Sequence, residues 1–175
     1  MTGSADASVH ASAVKVGPRA ILIRGPSGAG KSRLAFDLIL AGRAGQLPLA
    51  VLVGDDRVHL EASNGQVVVR PARGLTGLIE IRGLGIRSCD FIEQAIVGLV
   101  VDLSAPDAAR LPSPEALRTR VCGVEIPRVP VGAGYEALPL VLAALIMTES
   151  SAFGQPSADC SKGIGNHISP TIATE

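Results

Sequence analysis

The chain has 175 residues, of which 47% are hydrophobic and 18% charged, a balance that excludes a disordered protein and suits one globular domain. Sixteen Lys and Arg residues offset sixteen Asp and Glu residues, and aromatic residues make up only 2%. The sequence therefore lacks both the basic field and the stacking surfaces that nucleic-acid binding requires.

Cysteine usage and hydropathy predict a cytoplasmic protein. Cys89, Cys122 and Cys160 are widely spaced, without metal-ligand spacing or a disulfide framework, as expected in a reducing compartment. The N-terminal residues lack the basic and apolar segments of a secretory signal. The longest apolar runs, at 96–101 and 138–147, fall short of the ~20 residues that span a bilayer, so we expect no membrane association.

The first third of the chain has a clear order of elements. Residues 1–9 are small and polar and are predicted to be disordered. Hydrophobic patterning then predicts strands at 10–16 and 20–23, a helix at 34–40 and a buried strand at 49–53.

The segment between the second strand and the helix is a complete phosphate-binding motif, G-x-x-x-x-G-K-S. Its residues are Gly25, Pro26, Ser27, Gly28, Ala29, Gly30, Lys31 and Ser32. Glycines let the backbone aim its N–H groups at a phosphate, beside the positive end of the following helix. Lys31 adds a point charge for the β- and γ-phosphates, and Ser32 offers a hydroxyl to magnesium. The motif predicts a site for a nucleoside triphosphate and Mg²⁺.

Two adjacent carboxylates, Asp55 and Asp56, follow the strand at 49–53. A carboxylate at the end of the strand beside the phosphate loop can reach the bound metal, and a second one can take a proton from an attacking hydroxyl. Because neighbouring side chains on a strand point to opposite faces, only one of the two has to face the phosphate.

Asn64-Gly65 lies between two β-rich runs, at 57–61 and 67–69. A type I′ turn needs a positive φ at both central residues, so this dipeptide is a strong signal for an antiparallel hairpin. A hairpin directly after the acidic strand end indicates a mixed sheet. We therefore predict an α/β fold, in which a mixed sheet with a phosphate loop has flanking helices.

The rest of the chain is less regular. Residues 74–85 are glycine-rich and predict a loop with a short extended core, and 96–103 predicts another buried strand. Prolines place the extended segment 121–131 at an edge or in a loop, and 136–147 predicts a helix packed on the sheet. Residues 148–175 are rich in Ser, Gly and Pro and are predicted to form a flexible tail.

Taken in order, these segments resemble the catalytic domain of bacterial HPr kinase/phosphorylase. The matching segments are the strand with His10, the loop 25–32, the run Asp-Asp-Arg-Val at 55–58 and, most specifically, Glu-Ile-Arg-Gly-Leu-Gly-Ile at 80–86. The resemblance covers about 10–147, a phosphate-loop kinase catalytic domain without the family's usual separate N-terminal domain. It implies a mixed sheet related to phosphoenolpyruvate carboxykinase and assembly as a homo-hexamer.

The resemblance also implies a function. The family uses ATP and Mg²⁺ to phosphorylate a serine on HPr, the phosphocarrier protein of the sugar phosphotransferase system, and many members remove that phosphate by phosphorolysis. The implied catalytic residues are His10, Lys31, Asp55, Asp56 and Arg110. Among these, Asp56 would be the base, with Asp55 in support. Ser32 and Glu80 would serve magnesium. By composition alone, His10, Glu80 and Arg110 are ordinary solvated residues.

Two departures from the family pattern stand out. Residues 130–135 read Pro-Val-Gly-Ala-Gly-Tyr where the family usually has a Pro-Gly-Arg-Asn-like loop used in dephosphorylation. We therefore expect phosphorolysis to be weak or absent. The stretch between Lys31 and Asp55 is also longer than expected, with 45–49 as the predicted insertion. Two rival functions stay open: a small-molecule kinase or NTP hydrolase, and a non-catalytic nucleotide-binding regulator.

Overall fold

A computed structural model describes residues 8–147 of the chain. The predicted tail at 148–175, most of the predicted disordered N-terminus and Cys160 lie outside the described residues. Val9, which was included in that N-terminal prediction, already belongs to a strand.

Within the described range the chain forms eleven strands and two helices. The strands are β1 (Val9–His10), β2 (Ser12–Val16), β3 (Arg19–Arg24), β4 (Ala50–Gly54), β5 (Arg57–Ser63), β6 (Gln66–Pro71), β7 (Leu78–Ile81), β8 (Gly85–Ser88), β9 (Ala95–Leu103), β10 (Arg118–Val121) and β11 (Val124–Val131). The helices are α1 (Lys31–Arg43) and α2 (Ala137–Ile146).

The large sheet is mixed, as the sequence predicts, and β9 is its central strand. β3 and β11 run parallel to β9 on opposite sides, and β6 pairs antiparallel with the first residues of β9. β2 and then β4 continue the sheet beyond β3, each antiparallel to its neighbour. The carboxyl ends of β3, β4, β9 and β11 therefore meet at one edge, and this edge carries the site.

Both faces of the sheet are buried, because side chains alternate along its central strands. Ile21 and Ile23 point to the layer that α1 covers, where Leu38 is fully buried. Leu22 points to the opposite layer, which the β5–β6 hairpin helps to form with Val67. Truncating Leu38 to Ala would cost about 2–5 kcal/mol of stability, the usual range for a leucine in a packed core.

The hairpin predicted from Asn64-Gly65 is present. β5 and β6 pair antiparallel over their whole length, and φ is 50° at Asn64 and 72° at Gly65. Positive φ at both central residues is the geometry that the dipeptide favours. The predicted strands at 20–23, 49–53 and 96–103 and the helices at 34–40 and 136–147 are also present, with ends shifted by a few residues.

Three predicted segments differ from the structure. The strand predicted at 10–16 is broken at Ala11, because its first residues pair with β5 and the remainder pairs with β3 and β4. The region 74–85 leads into an antiparallel hairpin, β7–β8, rather than a loop with one extended core. β11, for which the prolines predicted an edge position or a loop, is a regular strand with one neighbouring strand for each half: its first half pairs with β10 and its second half with β9.

α2 buries one residue fully, Val141, and leaves Leu140, Leu145 and Ile146 exposed. Neither of the helices between residues 8 and 147 has the length and apolar run that a membrane crossing requires.

Candidate active site

The phosphate loop joins the end of β3 to the start of α1, a helix of 13 residues. Gly30 caps the helix with φ 96°, a left-handed conformation in which a side chain would be strained. Gly25 is required for another reason: a Cβ there would lie 2.9 Å from the carbonyl oxygen of Leu103 at the end of β9. The loop thus packs closely against the end of β9, and it leads directly into the helix N-terminus, which favours an anion.

Lys31 is buried, and its ammonium folds back into the loop. Its Nζ donates to the carbonyl oxygens of Gly25 and Pro26, both at 3.0 Å. Burial lowers the pKa of Lys31, and the nearby Asp56 and Asp55 carboxylates oppose this shift. Lys31 therefore lies inside the loop, held by the carbonyl oxygens of the loop itself.

Asp55 follows β4 and is only 3% exposed. Its Oδ1 accepts hydrogen bonds from the hydroxyls of Ser12, at 2.5 Å, and Ser32, at 2.9 Å. Its Oδ2 accepts from the backbone N–H of Glu80 at 3.1 Å. The carboxylate is thus fixed against the phosphate-loop serine, and of the adjacent aspartates it is Asp55 that faces the loop.

Asp56 faces solvent instead. Its side chain is 63% exposed, and its backbone has φ 65°. His10 Nε2 lies 3.3 Å from Asp56 Oδ1, because β1 pairs with β5 and places His10 opposite Arg57. The structure therefore brings His10 and Asp56 together at the surface, beside the buried Asp55.

The side chains of Glu80 and Arg110 have fewer contacts than those of Asp55 and Asp56. The Glu80 backbone contacts Asp55, whereas its side chain is exposed and makes no hydrogen bond or ion pair to another described residue. Arg110 lies in the connection 104–117 between β9 and β10, exposed and likewise without such a partner in the described part of the chain. Their predicted roles remain predictions.

A magnesium ion would find suitable donors here. The Ser32 hydroxyl and the Asp55 carboxylate present oxygen atoms at the phosphate loop, and Mg²⁺ keeps several waters, so few protein ligands suffice. Within 8–147 no group of three or more His, Cys, Asp or Glu side chains could hold a metal by itself. The residues fit an ion that is shared between protein and phosphate oxygens.

The segment 130–135 borders this site. A cleft of about 360 Å³ runs between α1 and α2, and its lining includes Gly30, Arg33 and Tyr135. The departure from the family pattern noted in this segment therefore lies next to the phosphate loop.

Sequence reasoning missed two parts of the site. Ser12 is fully buried and bonds to Asp55, although its only signal was a polar residue in an apolar strand. Arg24, Asp102 and Arg128 form an ion-pair cluster across β3, β9 and β11, with Arg24 and Asp102 near the carboxyl ends of their strands and Arg128 in the middle of β11. The sequence signal that could have revealed this cluster is a charged residue at or near the end of each of two apolar strands, Arg24 in β3 and Asp102 in β9.

The fold and the candidate site define an α/β protein in which a glycine-rich loop with the phosphate-binding sequence pattern precedes a helix, and a buried carboxylate faces the loop serine. The family model of the HPr Serine kinase C-terminal domain matches residues 3–160, which is most of the chain. The chain belongs to this family, as its sequence motifs indicated.

Curated relatives agree with this assignment. A protein named HPr kinase/phosphorylase from Enterococcus faecalis is 34% identical over 161 residues, covering 84% of this chain and 49% of that protein. One of the same name from Mycoplasma mycoides is 30% identical, covering 81% of this chain and 48% of that protein. The chain spans about half the length of the curated relatives it matches.

A solved structure supports the fold. The Hpr(Ser) kinase/phosphatase from Coxiella burnetii matches with a TM-score of 0.62 and 25% identity, covering 80% of this chain and 93% of that one. The predicted mixed α/β fold of the HPr kinase type is thereby confirmed.

Proposed function

We propose that the chain is a cytoplasmic protein-serine kinase that transfers the γ-phosphate of ATP to a serine of HPr. The observation that carries this proposal is the buried Asp55 carboxylate, which accepts a hydrogen bond from Ser32 of the phosphate loop in a fold of the HPr kinase family. A loop for the triphosphate and a carboxylate for its metal are the parts that phosphoryl transfer needs first.

The loop 25–32 would bind the triphosphate through its backbone N–H groups. Lys31 now donates to two neutral carbonyl oxygens, and phosphate oxygens would replace them. Because the ammonium is already desolvated, its attraction to a charged oxygen is stronger than in water.

Ser32 and Asp55 would hold Mg²⁺, and Glu80 is a further proposed ligand from the resemblance. When bound, the ion neutralises charge that develops on the transferred phosphate. Asp55 does not have to turn to meet it, since Ser12 and the Glu80 amide already fix the carboxylate. This preorganisation lowers the cost of assembling the site.

Asp56 would be the general base. It is exposed, so a serine on another protein can reach it, and His10 on the neighbouring strand sets its orientation. The serine oxygen forms a bond to the γ-phosphorus while the bond from that phosphorus to the ADP oxygen breaks, and the serine proton passes to Asp56. Arg110 would contact the transferring phosphate.

The reverse reaction is proposed to be weak. The segment 130–135 borders the cleft beside Gly30 and carries no arginine or asparagine to position inorganic phosphate. The chain would then act mainly in the forward direction.

We also propose, from the resemblance, that the chain forms a homo-hexamer. Size-exclusion chromatography with light scattering would give the mass of the assembly. A monomeric mass would contradict the proposed hexamer.

Substrate choice tests the proposed function against its rivals. Labelled ATP is offered with purified HPr, and separately with nucleosides and small alcohols. We expect label in HPr alone. Label in a small molecule would indicate a small-molecule kinase, and tight ATP binding without any labelled product would indicate a regulator.

A further inference from the structure

Four charged side chains connect the strand ends around the phosphate loop. Arg24 donates two hydrogen bonds to Asp102, both at 2.7 Å, and Arg128 Nε donates to the same carboxylate at 2.5 Å. The other end of Arg128 donates to Asp107 at 2.6 and 2.9 Å. The cluster thus runs from β3 through β9 and β11 into the connection 104–117.

Arg128 and Asp102 lie largely out of water, whereas Arg24 is partly buried and Asp107 is half-exposed, and each of these charges has an oppositely charged partner. Burial raises the pKa of Asp102, but hydrogen bonds from Arg24 and Arg128 outweigh it, so the pKa falls below its ordinary value. Hydrogen bonds to Asp107 and then Asp102 raise the pKa of Arg128, against its burial. A planar guanidinium suits this place, because its fork can serve two carboxylates at once.

One end of the cluster meets the phosphate loop. Arg24 is the residue before Gly25, whose Cα packs against Leu103, the residue after Asp102. Lys31 in turn donates to the Gly25 carbonyl. The position of the loop entrance is therefore tied to the end of β9.

The other end fixes the connection 104–117. Besides Asp107, Arg128 Nη1 donates to the carbonyl oxygen of Ala116 at 2.9 Å, and its backbone N–H donates to Leu117. Arg110 is three residues after Asp107 and makes no hydrogen bond or ion pair of its own to the described residues. The position of Arg110 is therefore set by its backbone, which the Arg128–Asp107 ion pair and the Ala105 N–H bond to Val131 anchor on its N-terminal side.

We propose that Arg128 and Asp107 are positioning residues that hold the connection 104–117, and with it Arg110, in place for phosphoryl transfer. The proposal rests on the proposed function, in which Arg110 contacts the transferring phosphate. It goes beyond the site residues carried by the family motifs, since neither Arg128 nor Asp107 belongs to one.

Asp107→Ala is the sharpest variant. The Asp107 side chain is 47% exposed, and its removal leaves the Arg24–Asp102–Arg128 contacts in place. We expect kcat for phosphorylation to fall about tenfold or more while KM for ATP changes less than about twofold, because misplacement of a catalytic group acts on the chemical step. The matched control is Glu125→Ala, which breaks the exposed Arg118–Glu125 pair on the neighbouring hairpin and should leave kcat unchanged.

A double-mutant cycle distinguishes an effect of Asp107 that acts through Arg110 from a loss of activity that is unrelated to Arg110. Arg110→Ala is made with and without Asp107→Ala, and kcat is measured for all four proteins. If Asp107 acts through Arg110, its loss has no further effect once Arg110 is gone. If the two substitutions lowered kcat independently, so that the loss in the double variant equalled the product of the two single losses, the proposal would be overturned.

Hydrogen exchange provides a readout that does not depend on the substrate. Asp107→Ala should speed amide exchange across 108–117, and Glu125→Ala should not. Unchanged exchange would overturn the anchoring even for an active kinase. Faster exchange with unchanged kcat would show that the anchoring does not position Arg110 for catalysis, and would overturn the proposal. Faster exchange together with no phosphorylation of HPr by the wild-type chain would confirm the anchoring and refute the proposed function.

Discussion

The Ser12 hydroxyl donates to Oδ1 of Asp55 at 2.5 Å, and both side chains are buried. Ser12 lies 43 positions from Asp55 in the chain, and β2 lies between β3 and β4 in the sheet. Ser32 donates to the same oxygen, so it can turn to a metal only if another donor keeps the carboxylate in place. Ser12 is the donor that holds this oxygen, while the Glu80 N–H holds Oδ2.

Ser12→Ala should therefore weaken metal binding. Loss of a residue that orients a metal ligand typically lowers affinity about 10- to 100-fold. The measurement is Mn²⁺ binding in the presence of an ATP analogue, followed by electron paramagnetic resonance, and it does not require turnover.

Two further variants sharpen this test. Ser12→Thr keeps the hydroxyl and should restore metal binding, whereas Ser63→Ala, at the exposed end of β5, should have no effect. Equal affinity in Ser12→Ala and the wild type would show that Asp55 needs no such support.

Asp56→Asn tests the general base. The amide keeps the size of the side chain but cannot accept the serine proton, so we expect kcat to fall about 10²-fold or more with little change in ATP affinity. Rapid-quench kinetics with HPr as acceptor would measure the step. Near-normal turnover would remove Asp56 from this role.

Lys31→Ala tests the phosphate loop. Its desolvated ammonium should stabilise the triphosphate in the transition state, so we expect a rate loss of about 10²-fold or more. Calorimetric titration with ATP alongside the rate assay would separate binding from chemistry. Normal binding and turnover would contradict the assigned position of the triphosphate.

Asp102→Ala should destabilise the fold by about 1–3 kcal/mol at neutral pH, because it leaves the partly buried Arg24 without a carboxylate and leaves the buried end of Arg128 with Asp107 as its remaining carboxylate. Glu61→Ala, in the exposed Arg70–Glu61 pair, is the control and should cost no more than about 1 kcal/mol. Urea unfolding measures both. Similar values for the two variants would show that the cluster adds nothing beyond a surface pair.

The same cluster predicts a pH dependence. The folded-state pKa of Asp102 lies below its ordinary value of 3.8, so its stabilising effect is present above pH 3.8 and is lost as the pH falls through the folded value. The difference in unfolding free energy between wild type and Asp102→Asn should shrink over this acid range. If the difference in unfolding free energy instead grew on acidification, the pKa of Asp102 would be raised in the folded state, which contradicts the prediction.

Phosphorolysis should be slow. Phosphorylated HPr incubated with inorganic phosphate and the protein is expected to release little pyrophosphate in the time that the same preparation completes the forward reaction. Brisk release would show that the segment 130–135 supports the reverse reaction without an arginine.

Local rules predicted much of this molecule. The phosphate loop and the Asn64-Gly65 hairpin depend on the φ angles that particular residues favour, and such preferences act within a few positions. The break at Ala11 could not be predicted in this way, because it follows from which strands pair on either side of it.

Family motifs supplied the candidate site residues, whereas contacts between residues distant in sequence could not be predicted. Arg24 and Asp102 are 78 residues apart, and only the parallel register of β3 and β9 brings them together. Ser12 likewise is an ordinary polar residue in an apolar run until the sheet places it beside Asp55.

The central claim is tested most directly by the mass of HPr after incubation with this protein, ATP and Mg²⁺. We predict that the mass rises by one phosphate, that fragmentation places the phosphate on a serine, and that the Asp56→Asn protein adds it at least about 10²-fold more slowly. Unmodified HPr, under conditions in which the protein binds ATP, would contradict the account.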